Sequence, residues 1–263
     1  MSDRKTLPGK FVWFELESRD ARKAQAFYGE VLGWKIRSVP VGSSSHDMIF
    51  TGDTLETMIG GYAPPRTDRE PSHWISYASV RDLDVATRAA EASGGKVIEP
   101  PMELPEIGRK ARIADPQGAE LCLLTRTAGD PPDVPLASPG RFFWNELHTP
   151  DPEGALSFYE RVLGYSHQAM GGDGQAGDYH VLSSGGTGRG GVSGHLPAGV
   201  PAHWLPYVAV DDTDAALERA RKHGGKVLVG PSDIPGIGRF GVIQDPTGAA
   251  LAVMKPAPRP ASK

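Results

Sequence analysis

The feature that most constrains this chain is that it contains itself twice. Phe11-Val12-Trp13-Phe14-Glu15-Leu16 returns as Phe142-Phe143-Trp144-Asn145-Glu146-Leu147. Phe27-Tyr28 and Val31-Leu32-Gly33 return as Phe158-Tyr159 and Val162-Leu163-Gly164, all 131 residues on. His73-Trp74, Gly94-Gly95-Lys96-Val97, Ile107-Gly108-Arg109 and Asp115-Pro116 with Gly118-Ala119 recur from His203, Gly224, Ile237 and Asp245, each 130 residues on. One residue of slippage over a whole half is the mark of a duplicated domain. Between the copies Pro131, Pro132 and Pro135 mark a linker. The boundaries read as 8–126 for the first domain, 127–138 for an unstructured linker, 139–255 for the second domain and 256–263 for an unstructured tail.

A fainter repeat lies inside each copy. Trp13, Asp20 and Gly33 keep the spacing of Ile75, Asp82 and Gly95, of Trp144, Asp151 and Gly164, and of Leu205, Asp212 and Gly225. Each unit opens on a short apolar run, read as a strand. The Asp then caps a helix by accepting from the unpaired N–H groups of its first turn, and Asp151-Pro152 adds Pro at the first helical position. Ala24, Phe27, Tyr28, Val31 and Leu32 fall at helical intervals and predict one buried face. The Gly of each unit is read as the left-handed residue that ends the helix. Apolar runs follow, such as Lys110 to Ala114 and Glu120 to Thr125, joined by Asp115-Pro116-Gln117-Gly118 as a tight turn.

With 39% apolar residues the chain can bury a substantial core. A net charge of −4 with no Lys/Arg block excludes a nucleic-acid or anionic-membrane surface. No stretch reaches the length of a membrane span, and no apolar stretch follows the charges of the first ten residues as in a signal peptide, so a cytoplasmic protein is expected. The single cysteine, Cys122, reads as a small buried hydrophobe. Gly171 to Gly177 and Gly185 to Gly191 lack the phosphate-loop pattern and read as flexible hairpin loops. No G-x-S-x-G nucleophile motif occurs.

Strand, helix and further strands taken four times, with these motifs in this order from Gly9 to Lys255, resemble the vicinal-oxygen-chelate superfamily, the bacterial glyoxalase, bleomycin-resistance and dioxygenase type. The resemblance implies an α+β fold: four βαβββ modules forming two glyoxalase-like half-barrel domains in tandem, each around a small-molecule pocket. Many members hold a divalent metal there with His and Glu ligands. In this chain the positions that the resemblance assigns to those ligands hold Trp13, Ile75 and Cys122 in the first half and Trp144, Leu205 and Ala252 in the second. No full donor set survives, so the expectation is a pocket without the usual metal and with no other cofactor.

Side chains two apart on a strand share a face, so Glu15, His73 and Glu120 form an alternative, displaced site for one divalent ion. The second half keeps Glu146 and His203 but has Ala250 in the third place, with His148 as a loose substitute. The first half is therefore the expected seat of any chemistry. Pocket candidates are Trp13, Glu15, His73, Tyr77, Glu120, Arg109, Trp144, Glu146, His203, Tyr207 and Arg239. Trp13 and Trp144 read more readily as core than as ligand-stacking residues. Arg109 and Arg239 suit either an anionic ligand or a neighbouring carboxylate. Glu15 and Glu146 have a structural reading as acceptors from Trp indoles or those arginines. Three functions stay open: a metal-free pocket for a small, partly aromatic organic molecule; a metal-dependent lyase, isomerase or dioxygenase at Glu15, His73 and Glu120; and a metal-free acid–base enzyme using Glu15 or Glu146. The expected partner is a small molecule, with no nucleic acid or membrane, and the chain acting as a monomer or homodimer.

Overall fold

A computed structural model describes residues 5–42, 44–67, 70–133, 138–170 and 179–258. Gly171 to Gly177, four linker residues and the end of the tail lie outside them. Four βαβββ modules follow one another. The first is β1 (Phe11–Glu17), α1 (Ala21–Leu32), β2 (Lys35–Val41), β3 (Ser44–Phe50) and β4 (Met58–Ala63). The second is β5 (His73–Ser79), α2 (Leu83–Ala92), β6 (Lys96–Leu104), β7 (Gly108–Ala114) and β8 (Glu120–Arg126). The third is β9 (Phe142–His148), α3 (Pro152–Leu163), β10 (Ser166–Ala169), β11 (Tyr179–Ser184) and β12 (Thr187–Ser193). The fourth is β13 (His203–Ala209), α4 (Thr213–Lys222), β14 (Lys226–Ile234), β15 (Gly238–Gln244) and β16 (Ala250–Pro256). Among the described residues no helix is long and apolar enough to cross a membrane.

Each half builds one mixed eight-stranded sheet, in the orders β2-β3-β4-β1-β5-β8-β7-β6 and β10-β11-β12-β9-β13-β16-β15-β14. In both, the two modules join through the antiparallel seam of their first strands, β1 with β5 and β9 with β13. Asp20, Asp82, Asp151 and Asp212 cap their helices through the N–H groups of Lys23, Val85, Gly154 and Ala215. Ala24, Phe27, Tyr28 and Val31 are buried as the helical spacing requires, while Leu32 is only partly covered.

The halves do not complete their cores alone. One core joins Leu83, Ala86, Ile113 and Leu121 of the second module to Leu147, Phe158, Tyr159 and Trp204 of the other half. A second joins Phe27, Tyr28, Val31 and Trp74 to Val208, Leu217, Ile243 and Leu251. Thus α2 packs on α3, and α1 on α4. Phe14 stacks on Phe142 at 4.0 Å between the sheets. The strands keep to their halves, while the apolar faces that carry the helices are covered by one another.

Three repeated motifs meet in these cores. The Trp204 indole donates to Tyr159 Oη at 2.9 Å, and the Tyr159 hydroxyl donates to Asp115 Oδ2 of the other half at 3.1 Å. Trp74 donates to Tyr28 Oη at 3.0 Å, and Asp245 of the other half is the carboxylate near that phenol. Burial first, and the neighbouring carboxylate next, hold both phenols well above their ordinary range. The second oxygen of Asp115 accepts from the N–H groups of Gln117 and Ala119, so the same carboxylate shapes the turn and ties the halves.

Two sequence expectations change. Gly33 and Gly164 are the left-handed helix ends foreseen, but in the other modules that conformation falls on Gly94 and Gly224 (φ +85°). Gly95 and Gly225 are glycine for another reason: a Cβ on either would stand 2.6 Å from the ring of Phe158 or Phe27, the aromatic of the opposite half. The linker is also less loose than its prolines suggest. Asp130 accepts from Leu7 N–H and the Ser79 hydroxyl, and Asp133 pairs with Arg189 at 2.6 Å and Lys10 at 3.1 Å.

Gly95→Ala should therefore destabilise the chain by about 1–3 kcal/mol through overpacking. Adding Phe158→Leu should return part of that loss in urea unfolding. Additive losses would show that Gly95 does not serve the contact between halves.

Candidate functional site

Opposite the helices each sheet presents a second face. On β1 the alternation turns Phe14 and Leu16 to the helix side and Trp13, Glu15 and Glu17 to the other. The seam sets Trp13 across from Tyr77, Glu15 across from Ile75 and Glu17 across from His73, while Tyr77 lies beside Cys122 of β8. The second half matches: Trp144 is across from Tyr207, and Tyr207 lies beside Ala252. Trp13 and Trp144 pack only partly buried on these helix-free faces and not in the main core.

The positions of the family's metal ligands do not fit a metal. Trp13 with Ile75, Trp144 with Leu205, and Ala252 carry no donor that would hold a divalent ion. Cys122 is fully buried, and burial pushes its thiol up to about 12, far from the thiolate a metal needs.

The displaced set does not assemble either. Glu15 accepts from the Tyr77 hydroxyl at 2.6 Å, and not from an indole or from Arg109. Glu120 is held by Arg112 at 3.2 Å and Arg66 at 2.9 Å. His73 lies level with Glu17, its Nε2 at 3.4 Å from that carboxylate, because the seam carries it one pleat beyond the row of Glu15. Among the described residues no three His, Cys, Asp or Glu are grouped to hold an ion.

What joins this face instead is Arg112, which sequence reasoning missed. It is 1% exposed and grips both oxygens of buried Glu17, with Glu120 on its other side. The signal was available: Arg112 interrupts the run from Lys110 to Ala114 at a position facing away from Ala111 and Ile113. A buried guanidinium keeps its charge, so its carboxylates must accompany it. The first half, expected to be the seat of chemistry, thus fills this face with an internal ion cluster.

The second half lacks that cluster. At the repeat positions of Glu17, Arg112 and Glu120 stand His148, Val242 and Ala250. The floor is Leu205, Tyr207, Val242, Ala252 and Met254, with Phe143, Trp144 and Phe240 packed against it. In the first half Leu104 and Ile107 fold onto the floor. Their counterparts Ile234 and Ile237 are 37% and 42% exposed, so an apolar rim stays open. Polar groups collect at one end. His148 Nε2 lies 3.0 Å from Glu146 Oε1, and Tyr179 and Tyr207 close on the same carboxylate, which helps burial raise both phenols. Trp144 donates to Tyr179 Oη at 2.9 Å. Gly191 is part of β12, not of a flexible loop, and the Tyr179 ring fills the space a side chain there would need.

Of the remaining candidates, Arg109 and Arg239 are not pocket residues. Arg109 pairs with Asp84 at 2.8 Å and Glu103 at 3.0 Å, and Arg239 with Asp214 at 2.6 Å and Asp233 at 2.8 Å. Arg109 stands on the same side of β7 as Ala111 and Ile113, which turns it toward the first turn of α2. His203 sits at the mouth of β13 with Nδ1 bound to the Pro201 carbonyl, as His73 is bound to Pro71.

A family model for the Glyoxalase/Bleomycin resistance protein/Dioxygenase superfamily matches residues 10–123 and again 141–253. A putative glyoxylase, CFP32, of Mycobacterium tuberculosis is 36% identical over 252 residues, covering 94% of this chain and 95% of that protein. The anthracycline biosynthesis protein DnrV of Streptomyces peucetius is 31% identical, with 94% of each chain covered. Among solved structures, the dioxygenase LapB of Pseudomonas sp. KL28 superimposes with a TM-score of 0.65 at 15% identity, over 98% of this chain and 96% of that one. The Mn(II)-bound glyoxalase of Novosphingobium aromaticivorans gives 0.64 at 19% identity, over 95% and 83%. At these identities the structures show the shared fold.

Glu15 provides a pH test. Burial, only partly offset by the Tyr77 hydrogen bond, raises its carboxyl pKa. An acid raised in the folded state favours folding most when protonated; that contribution fades as pH rises through the raised value. Glu15→Gln keeps an acceptor for Tyr77 and removes the charge. Urea unfolding should show the variant as stable as the parent near pH 4, and equal or more stable at pH 7. A loss at pH 7 alone would mean that the Glu15 charge is itself stabilising.

Proposed function

The chain belongs to the Glyoxalase/Bleomycin resistance protein/Dioxygenase superfamily, and within it we propose a protein that binds a small, planar, partly aromatic organic molecule on the helix-free face of its second half, without a metal at the family's usual position. The observation that carries this reading is the contrast between two faces of one origin. One is filled by Glu17, Arg112 and Glu120. The other keeps an aromatic and aliphatic floor, an exposed apolar rim and a single polar end. Apolar surface left open beside a few convergent polar groups is the usual character of a ligand site. The name of the relative DnrV, an anthracycline biosynthesis protein, supports an aromatic ligand class. Because the internal repeat already pairs the modules, a monomer suffices for the site.

Titration with a hydroxyanthraquinone, followed by tryptophan fluorescence, tests the reading. Trp144 should be quenched on binding, and Phe240→Asp should weaken binding about tenfold or more by placing a charge in the floor. Trp13→Phe should leave affinity unchanged, as should EDTA. Binding that survives Phe240→Asp but falls with Trp13→Phe would assign the ligand to the first half. Binding lost on chelation and restored by one divalent ion would overturn the metal-free reading.

A further inference from the structure

We propose that Glu146, His148 and His203 form a metal-free proton-transfer site acting on an enolisable ketone carried by an aromatic framework. His203 serves as the base at the carbon beside the carbonyl, and His148 as the acid at its oxygen. The inference rests on the ligand-face reading above.

The hydrogen bonds fix where the protons are. His148 Nδ1 is 2.8 Å from the His195 carbonyl, and His203 Nδ1 is 2.9 Å from the Pro201 carbonyl. A carbonyl only accepts, so both Nδ1 atoms carry hydrogen. His148 Nε2 then stands 3.0 Å from Glu146 Oε1, an ion-pair contact, and is buried without an aligned hydrogen bond among the described residues. A lone pair so near a carboxylate would be repelled, so Nε2 carries a proton, and that N–H is left without an acceptor of its own. The two imidazoles are across from each other in the seam and stacked at 5.2 Å with 15° between planes. A second positive charge so close is unfavourable, which leaves His203 neutral with a lone pair on Nε2. The directions agree: burial opposes charge on His148 but Glu146 outweighs it, whereas His203 is lowered, first by burial. Two like groups pushed apart in this way divide into an acid and a base.

The first half shows what disables such a pair. There Glu17 occupies the place of His148, and His73 Nε2 rests against it at 3.4 Å. Of His73 and His203, the two imidazoles anchored on a proline carbonyl, only His203 has no carboxylate within ion-pair distance of Nε2 among the described residues.

The chemistry balances without a co-reactant. The C–H bond next to the carbonyl breaks and its proton joins His203 Nε2. Its electron pair forms the C=C bond while the carbonyl π pair moves to oxygen, which takes the proton of His148 Nε2. The reverse transfers return a proton to carbon. Tyr179 and Tyr207 flank Glu146 and remain protonated throughout.

The test is deuterium exchange at the α-carbon of β-tetralone in heavy water with EDTA present, read by proton NMR, with binding followed in parallel by tryptophan quenching. The intact chain should accelerate exchange about a hundredfold or more over buffer, with a bell-shaped pH profile. His203→Asn should bring exchange close to the buffer rate while quenching persists, and Glu146→Gln should move the alkaline limb of the bell to lower pH. Quenching without accelerated exchange overturns the proposal and spares the ligand face. So does exchange that survives His203→Asn, or that chelation abolishes. Absence of quenching overturns the ligand-face reading and this inference with it. The pH profile of the unaltered chain keeps the test decisive even where a variant fails to fold.

Discussion

The structure depends on the burial of each half's helix-bearing face against the other. Every sheet has one face that carries its two helices, and neither pair of helices covers that face completely. Phe158 reaches onto Gly95, Phe27 reaches onto Gly225, and Phe14 stacks on Phe142. Burying side chains of this size is worth roughly 1.5–3 kcal/mol each. The Trp204–Tyr159–Asp115 chain then supplies partners for polar atoms that this burial would otherwise strand. Because the helix-bearing faces are spent on each other, the opposite faces carry no partner from the other half.

That division of labour explains how the copies diverged. Positions in the shared cores answer to a partner in the other half, and they read alike: Phe27 and Phe158, Tyr28 and Tyr159, Trp74 and Trp204, Asp115 and Asp245. The helix-free faces answer to no such partner. There His148, Val242 and Ala250 stand at the repeat positions of Glu17, Arg112 and Glu120. One copy closes its face with charge; the other keeps it apolar with a carboxylate and two imidazoles at one end. The substitutions move together because a buried Arg112 without Glu17, or Glu17 without Arg112, would leave a charge uncompensated.

The fold was legible because its determinants are local and repeated. Asp20 and its three counterparts cap helices through atoms three residues away, and Asp115 shapes a turn within five residues. Strand alternation placed Glu15, His73 and Tyr77 on one face correctly. Register was harder to read. Whether His73 meets Glu15 or Glu17 depends on how β1 and β5 slide, and no local signal states that. Arg112 was hidden for a related reason, since a charge within an apolar run looks like an interruption until its carboxylates, far off in sequence, are known. The role of Gly95 was misassigned because a glycine after a helix suggests a helix end, while the Phe158 ring that requires it lies in the other half. Arg109 and Arg239 left two readings open, and only the positions of Asp84 and Asp214 decide between them.

The central claim is that the halves are one folding unit joined through their helix-bearing faces, and a single cut tests it. A protease site placed in the linker, cleaved in the folded protein, should leave both fragments together in size-exclusion chromatography under native conditions. They should still unfold in one cooperative transition. Two separate soluble fragments, each with its own folded transition, would contradict the account.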